Sequence, residues 1–225
     1  MIAAAGSVAA VAWSAGPAAA ALTGTVALPF STYSQMLVDP VHHHLFVTGG
    51  SGTSSILVTD YSGQTVATIP SEPGATGLTL SGDGSTVYAA LADSDAISAV
   101  STSTLTETAR YATGTDPAYV AYTSGKIWFG YGAPGSHGEI GSVDPATNPA
   151  TVTLNAVNDP LAGWYGAPEL KASPAGDLVA GQLHTSGLQL ASYNVSAGTA
   201  VVLTPATVLG NYAGLQGMQI TPDGQ

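Results

Sequence analysis

The sequence predicts an all-β chain built from repeated blades, and two observations support this. A short polar turn recurs at the same point of one pattern, beginning at Val38, Ser81, Tyr122, Ser173 and Thr221, so that successive turns start 41 to 51 residues apart. In addition, beyond the first 21 residues, apolar residues are not found at helical spacing over a long window without an interrupting Gly or Pro. Repeats of about 40 to 50 residues made of short strands are typical of a β-propeller, whose four-stranded antiparallel blades surround a central axis.

The second repeat shows the predicted blade most clearly. Its strands a to d, counted outwards from the central axis, are expected at residues 76–80, 86–91, 96–100 and 105–111. Turns rich in Gly, Asp, Ser and Thr separate these β-rich runs, so the four strands form an antiparallel meander. The alternating residues of strand d are those of an outer strand with one solvated face.

The number of repeats indicates an unclosed ring. Residues 24–29 resemble strand d of the first blade, at residues 64–70, but no strands a to c precede them. A lone outer strand at the N-terminus is what a propeller uses to complete its last blade. We therefore expect a truncated part, about four complete blades, of a seven-bladed ring.

The blade boundaries follow from the spacing of the turns. Within a propeller domain at residues 22–225, the blades are expected near residues 30–70, 71–112, 113–157 and 158–206, with a fifth beginning at residues 207–225.

Composition excludes several classes of function. The chain has 14 acidic residues but only three Lys and Arg, and its net charge is -11. Such a charge repels polyanions, and no basic patch is present to neutralise phosphates, so nucleic-acid partners are not expected. The absence of Cys excludes disulfides, thiol catalysis and cysteine metal sites.

Residues 1–21 predict that the protein is located outside the cytoplasm. They form an uncharged, Ala-rich apolar stretch that ends in Pro17 and four alanines, which suit cleavage of a secretion signal near Ala20 or Ala21. An uncleaved membrane anchor is the alternative, although Gly6, Gly16 and Pro17 make a poor spanning helix. We expect a secreted or cell-surface protein, with membrane contact only if this segment is uncleaved.

The repeats resemble a known family. Residues 45–49 and 87–90 are similar to the strand after which YVTN-type β-propeller repeats are named, and residues 56–60, 64–70 and 141–148 are similar to the following strands. The namesake Asn is absent from every repeat. The resemblance implies a secreted bacterial or archaeal propeller of seven blades, related in appearance to lactonase-like propellers, but it does not specify a function.

Candidate ligand-binding residues lie in loops that depart from the repeat. In a propeller the d-to-a and b-to-c connections meet on one face around the channel, where ligands usually bind. Two d-to-a connections are long, at residues 158–169 and 209–218. The candidates from these connections and the neighbouring b-to-c loops are Trp164, Tyr165, Glu169, Tyr131, His137, His184, Asn211 and Tyr212.

These candidates allow two interpretations. Rigid aromatic faces with a few polar groups could bind a carbohydrate, a peptide or a cell-wall fragment. Alternatively, the aromatic residues pack the longer loops against the next blade.

No metal or cofactor is predicted. The run His42-His43-His44 starts a strand after an a-to-b turn, so alternation sends its middle residue to the opposite face. The Asp residues of the repeated turns supply one carboxylate each, fewer than calcium requires, and suffice to hold the turns. We expect a non-enzymatic binding or scaffolding module; the alternative is a lactonase-like hydrolase with its site at the channel mouth.

Overall fold

Consecutive strands form four antiparallel sheets, each a complete blade. The structure, a computed structural model, describes residues 27–184, 187–208, 218, 220 and 221, without the side chains of residues 183 and 184. The predicted signal segment at residues 1–21 lies outside these residues, as does most of the predicted fifth blade.

The strands follow one another from the channel outwards in every blade. Blade 1 contains β1 (Gln35–Asp39), β2 (His44–Thr48), β3 (Ser55–Asp60) and β4 (Thr65–Pro70). Blade 2 contains β5 (Ala75–Leu80), β6 (Thr86–Leu91), β7 (Ala96–Ser101) and β8 (Glu107–Ala112). Blade 3 contains β9 (Pro117–Thr123), β10 (Lys126–Tyr131), β11 (His137–Asp144) and β12 (Thr151–Thr153), with a two-residue strand, β13 (Trp164–Tyr165), added beside β11. Blade 4 contains β14 (Glu169–Ala172), β15 (Asp177–His184), β16 (Gly187–Asn194) and β17 (Val201–Val208).

The all-β propeller class predicted from the sequence is confirmed. Within the described ranges the chain has no α-helix, and its helical structure is a single 3-10 turn at Ala92–Ser94. In the same ranges no helix has the length and hydropathy needed to cross a bilayer.

The repeated polar turns that begin at Val38 and Ser81 act as predicted. Asp39 Oδ1 accepts the backbone N–H groups of Val41 and His42 at 2.9 and 3.2 Å, and Asp83 Oδ1 accepts that of Ser85 at 3.0 Å. Gly84 has a φ of 71°, which few residues other than Gly adopt without strain. These local bonds help to turn strand a into strand b.

Apolar side chains fill the space between successive blades. Phe46 and Ile56 of blade 1 pack against Val87 and Val100 of blade 2. A second cluster, which includes Phe129, joins blades 2 and 3, and a third joins blades 3 and 4. Each such side chain, when fully buried, stabilises the fold by about 1.5–3 kcal/mol, so the contacts between blades hold the sheets in their arc.

Hydrogen bonds and one close approach join the innermost strands. The side-chain amide of Gln35 donates to the carbonyl oxygen of Leu78 at 3.1 Å and accepts its N–H at 3.0 Å. A Cβ at Gly77 would lie 2.7 Å from the carbonyl oxygen of Ala118 and 2.8 Å from Tyr119 Cα, so β5 and β9 can approach this closely only with Gly there. The innermost strands of blades 1, 2 and 3 are therefore held in a defined arrangement.

Candidate ligand-binding site

A cavity of about 470 Å³ opens where the innermost strands of blades 2, 3 and 4 begin. Its walls are the b-to-c and d-to-a connections that were predicted to share one face, together with the first residues of β5, β9 and β14. We call it the channel-mouth cavity; the side chains that bear on its chemistry are Thr76, Asp116, Tyr119, Tyr165, Glu169 and Gln182. Its volume lies within the range of about 300–1,000 Å³ that is usual for small-ligand sites.

The loop between β12 and β14, residues 154–168, forms one side of this cavity. Its short strand β13 pairs with β11, and the register places Tyr165 opposite His137 and Trp164 opposite Gly138. A Cβ at Gly138 would overlap the carbonyl oxygen of Gly166, so the loop can lie this close only because Gly138 has no side chain. The N–H of Tyr165 also donates to the side-chain oxygen of Gln182 on β15.

A buried carboxylate fixes the other end of the same loop. Asp159 is 8% exposed, and its Oδ2 accepts both the Tyr193 hydroxyl at 3.2 Å and the Ala206 N–H at 2.9 Å. Burial, with the nearby charge of Asp159 as a smaller cause, raises the pKa of Tyr193 far above its usual value, so this hydroxyl keeps its proton and donates. The loop is thus tied to strands c and d of blade 4.

The two aromatic residues predicted in this loop have different environments. Trp164 is 2% exposed and belongs to the core between blades 3 and 4, as the packing interpretation would have it. Tyr165 is 52% exposed and lines the channel-mouth cavity. Adjacent residues of a strand point to opposite faces, which explains the contrast.

Glu169 lies in the cavity wall as the first residue of β14. Its Oε1 is 3.4 Å from Lys171 Nζ, two residues along the same face of the strand. Across the cavity, burial and the charge of Glu169 raise the pKa of Tyr119, which is nevertheless 38% exposed. The structure therefore places Tyr165 and Glu169, both predicted, around one cavity.

Other predicted residues lie outside the cavity wall. The side chain of His137 is 67% exposed, and its Nδ1 is 3.3 Å from Glu139 Oε1. The Tyr131 hydroxyl accepts the N–H of Asn155 at 3.1 Å, and its ring contacts that of Phe129. Neither residue is among those that line the cavity.

Three predicted residues cannot be compared with the cavity. His184 ends β15, where its backbone pairs with Gly187, but its side chain is outside the described part of the chain. Asn211 and Tyr212 also lie outside the described residues.

Tyr119 and Gln182 line the cavity but were not predicted from the sequence as site residues. Tyr119 lies in the third position of β9, and its exposed side chain alternates with the buried Val120. Applying the period of two to the innermost strand would have placed Tyr119 on the channel side.

Among the described residues, no group of three or more His, Asp and Glu side chains is placed to hold a metal ion. The rings of His42 and His44 stack with centroids 6.0 Å apart, whereas His43 contacts the ring of Tyr61 at 5.5 Å. The middle His is separated from the other two as predicted, but not by strand alternation: β2 begins at His44, and His43 lies in the turn with a φ of 56°. Nδ1 of His42 is 2.7 Å from Asp39 Oδ2, so this ring helps to hold the a-to-b turn.

Fold and cavity together define a propeller-type module with a ligand-sized recess at its channel mouth. Solved structures with the same kind of fold resemble the described chain at low sequence identity. Hydrazine synthase of Kuenenia stuttgartiensis gives a TM-score of 0.66 at 18% identity, over 90% of this chain and 56% of that one.

Two further propeller-type structures give similar values. An auxiliary nutrient-binding protein of Bacteroides ovatus gives a TM-score of 0.59 at 18% identity, over 82% of this chain and 44% of that one. The WD40 domain of Neurospora crassa Pan2 gives a TM-score of 0.56 at 15% identity, over 80% of this chain and 54% of that one. This chain thus spans about half the length of the structures it matches, and at these identities the likeness shows the fold alone. No family model and no curated protein matches the sequence.

Proposed function

We propose that this propeller is a non-enzymatic module that binds a small molecule or a short peptide segment in the channel-mouth cavity. The observation that carries the proposal is the exposed ring of Tyr165 over a recess of about 470 Å³ whose walls come from all four blades. Rigid aromatic surface with a few polar groups around a preformed recess is the usual composition of a ligand site.

The way in which the backbone of Tyr165 is held supports ligand binding, rather than loop packing, as the role of this residue. Its backbone is held on one side by β11 and on the other by Gln182, while its ring stays half exposed. A side chain that served only to pack the loop would be buried, as that of Trp164 is. Preorganisation of this kind reduces the entropy lost when a ligand binds.

The proposed ligand classes are a carbohydrate, a peptide or a cell-wall fragment, met outside the cell or at its surface. The apolar stretch at residues 1–21 supports export, and the resemblance to YVTN-type repeats supports the same location. One structure that shares the fold is a nutrient-binding protein by name, which agrees with a binding role for a propeller of this kind.

A hydrolase of the lactonase-like kind is the second candidate. Asp116 and Glu169 both line the cavity, and a pair of carboxyl groups can supply a general acid and a general base. Hydrolysis of a lactone panel that is lost in both Asp116→Asn and Glu169→Gln would favour this candidate over simple binding.

The binding proposal is tested by nuclear magnetic resonance titration of the full chain with neutral oligosaccharides and short peptides. We expect one ligand to shift the amide signals of Gly132, Gly166 and Gln182, which line the cavity. Tyr165→Ala should weaken that binding about fivefold or more, because a central Tyr commonly contributes more than about 1 kcal/mol to an interface.

Tyr61→Ala is the matched control. Tyr61 is 46% exposed, and its hydroxyl bonds the carbonyl oxygen of Asp39 near the opposite face of the blades. Equal weakening by the two substitutions, or ligand shifts confined to residues outside the cavity, would contradict the proposal.

A further inference from the structure

The channel-mouth cavity is lined by acidic residues and by no basic residue. Asp116 and Glu169 line it, from the residue before β9 and the first residue of β14, and no Lys, Arg or His is among the lining residues. The two carboxylate residues thus line the same recess from neighbouring blades, each at the start of an innermost strand.

The bases of the chain are too few and mostly too distant to balance them. The sequence has three, and two are engaged elsewhere: Arg110 bonds Glu107 and the carbonyl oxygen of Ser71, and Lys126 donates to the carbonyl oxygen of Gly198. Lys171 is the third, with its Nζ 3.4 Å from Glu169. The neutral hydroxyl of Thr115 donates to Asp116 Oδ1 at 3.4 Å and does not offset its charge, so the cavity keeps a net negative charge.

The aromatic groups of the cavity have matching chemistry. Tyr119 and Tyr165 are both more than a third exposed and line the same recess as the carboxylates. The face of an aromatic ring carries partial negative charge and attracts a cation placed over it. Rings and carboxylates therefore favour the same kind of ligand group.

A neutral ligand would fit this recess less well. To fill it, a neutral molecule must displace water from two carboxylates. It can replace the lost hydrogen bonds of the water, but it cannot neutralise the negative charges. A ligand cation both forms hydrogen bonds and neutralises charge, and its bonds to a carboxylate are charge-assisted.

We infer that the ligand group held in the channel-mouth cavity is an organic cation, an ammonium or a guanidinium, placed against Asp116 and Glu169 and covered by Tyr119 and Tyr165. This inference rests on the proposed function, because it names the chemistry of the same site. The cationic group can come from a free amine or from a basic side chain of a peptide.

The test compares probes that differ in charge and little else. The full chain is titrated with N-acetyl-lysine methylamide and with its uncharged isostere N-acetyl-norleucine methylamide, while spermidine represents a free amine and maltose a neutral sugar. Binding is followed at the amide signals of Gly132, Gly166 and Gln182. We expect the lysine probe or spermidine to bind and the norleucine probe to bind about tenfold more weakly or not at all.

Salt and neutralising substitutions provide independent measurements. Binding of the cation should weaken as ionic strength rises from about 0.01 to 0.1 M, because the screening length falls from about 30 to 10 Å. The double variant Asp116→Asn, Glu169→Gln should weaken it about tenfold or more. Asp144→Asn is the control: Asp144 is the last residue of β11 and does not line the cavity, and the new amide keeps an oxygen to accept the Ala146 N–H.

The outcomes separate this inference from the proposed function. Equal affinity for the lysine and norleucine probes, or binding of maltose alone at the cavity signals, overturns the cation and leaves the binding function standing. Cation binding that Asp144→Asn weakens as much as the double variant also overturns it, because the effect would then be one of overall charge. If no probe of either kind shifts the cavity signals, both proposals fail.

Discussion

The hydroxyl of Tyr193 donates to Asp159 Oδ2 at 3.2 Å, across 34 residues of sequence. This bond ties the loop that carries Tyr165 to strand c of the blade that follows it. Blade 2 has a counterpart: Glu72, in the loop before β5, accepts the Ser98 hydroxyl of strand c at 3.0 Å. In both blades a buried carboxylate of the d-to-a loop is what holds that loop over the next sheet.

Removing the Tyr193 hydroxyl should loosen the loop without unfolding the blade. Tyr193→Phe keeps the buried ring but deletes one of the donors to Asp159, so we expect a loss of about 1 kcal/mol in the free energy of unfolding. Amide hydrogen exchange in residues 159–167 should accelerate more than exchange in blades 1 and 2. Tyr61→Phe, at an exposed site, serves as the control, and an equal loss there would show that the bond to Asp159 has no special role.

Glu72 should make the protein more stable in mild acid. Glu72 is completely buried, and burial raises the pKa of its carboxyl group to about 7, against the opposing effects of the Ser98 hydroxyl and Arg110. Because this pKa is higher in the folded than in the unfolded chain, the folded state holds the proton more tightly. Its contribution is complete below about pH 4.5 and is lost as the pH rises to about 7, by on the order of 3 kcal/mol.

Glu72→Gln isolates this contribution from those of the other carboxylates. The amide keeps an oxygen for Ser98 but does not titrate, so the variant should gain stability relative to the parent between pH 4.5 and 7. Denaturant unfolding of both proteins at several pH values measures the difference. Parallel stability curves across that range would rule out the raised pKa of Glu72.

Gly138→Ala should detach β13 from β11. The new methyl group would overlap the carbonyl oxygen of Gly166, and relieving such a clash costs about 1–3 kcal/mol. We expect faster hydrogen exchange at Trp164 and Tyr165 and weaker binding of any ligand of the channel-mouth cavity. Gly163→Ala is a matched control in the same loop, because a Cβ there meets no atom within 4 Å; similar effects of both changes would contradict the prediction.

Gln35→Ala should weaken the contact between blades 1 and 2. The substitution leaves the N–H and carbonyl groups of Leu78 without their side-chain partner, so we expect a loss of about 1–3 kcal/mol in the free energy of unfolding. Gln64→Ala, in an exposed turn, should cost less than about 0.5 kcal/mol. Thermal unfolding of the two variants provides the comparison, and equal midpoints would show that the amide pair adds nothing.

The predicted strands of blade 2 agree with the observed ones within two residues, and the largest difference has a physical cause. Strand d was predicted from Leu105 but begins at Glu107. Leu105 has a φ of 55°, and its N–H donates to the carbonyl oxygen of Ser101 at 2.9 Å, so it belongs to the turn. The sequence does not show that an apolar residue such as Leu105 has a left-handed backbone. The prediction from a period of two therefore began the strand two residues too early.

The site was predictable only in part. Some of its residues stand out in the local sequence pattern, whereas others join the site only through tertiary contacts. The departure of residues 158–169 from the repeat marked the loop of Tyr165 and Glu169. It did not show that Trp164 would enter the core, nor that Tyr119 of another blade would face Tyr165 across one cavity. Those outcomes depend on the pairing of β13 with β11, which requires Gly138 and Gly166 to meet.

By itself the sequence determined the all-β repeat, the polar turns and most of the strands, since each depends on the conformational preferences of a few neighbouring residues and on a period of two. Only the tertiary structure decided which side chains line the channel-mouth cavity and which carboxylates are buried. The cavity joins residues from four blades, and the burial that raises the pKa of Glu72 places it beside Ser98, which is 26 residues away in sequence. Contacts between distant segments have no signature in a local pattern, so the chemistry of this cavity is set by how the blades pack.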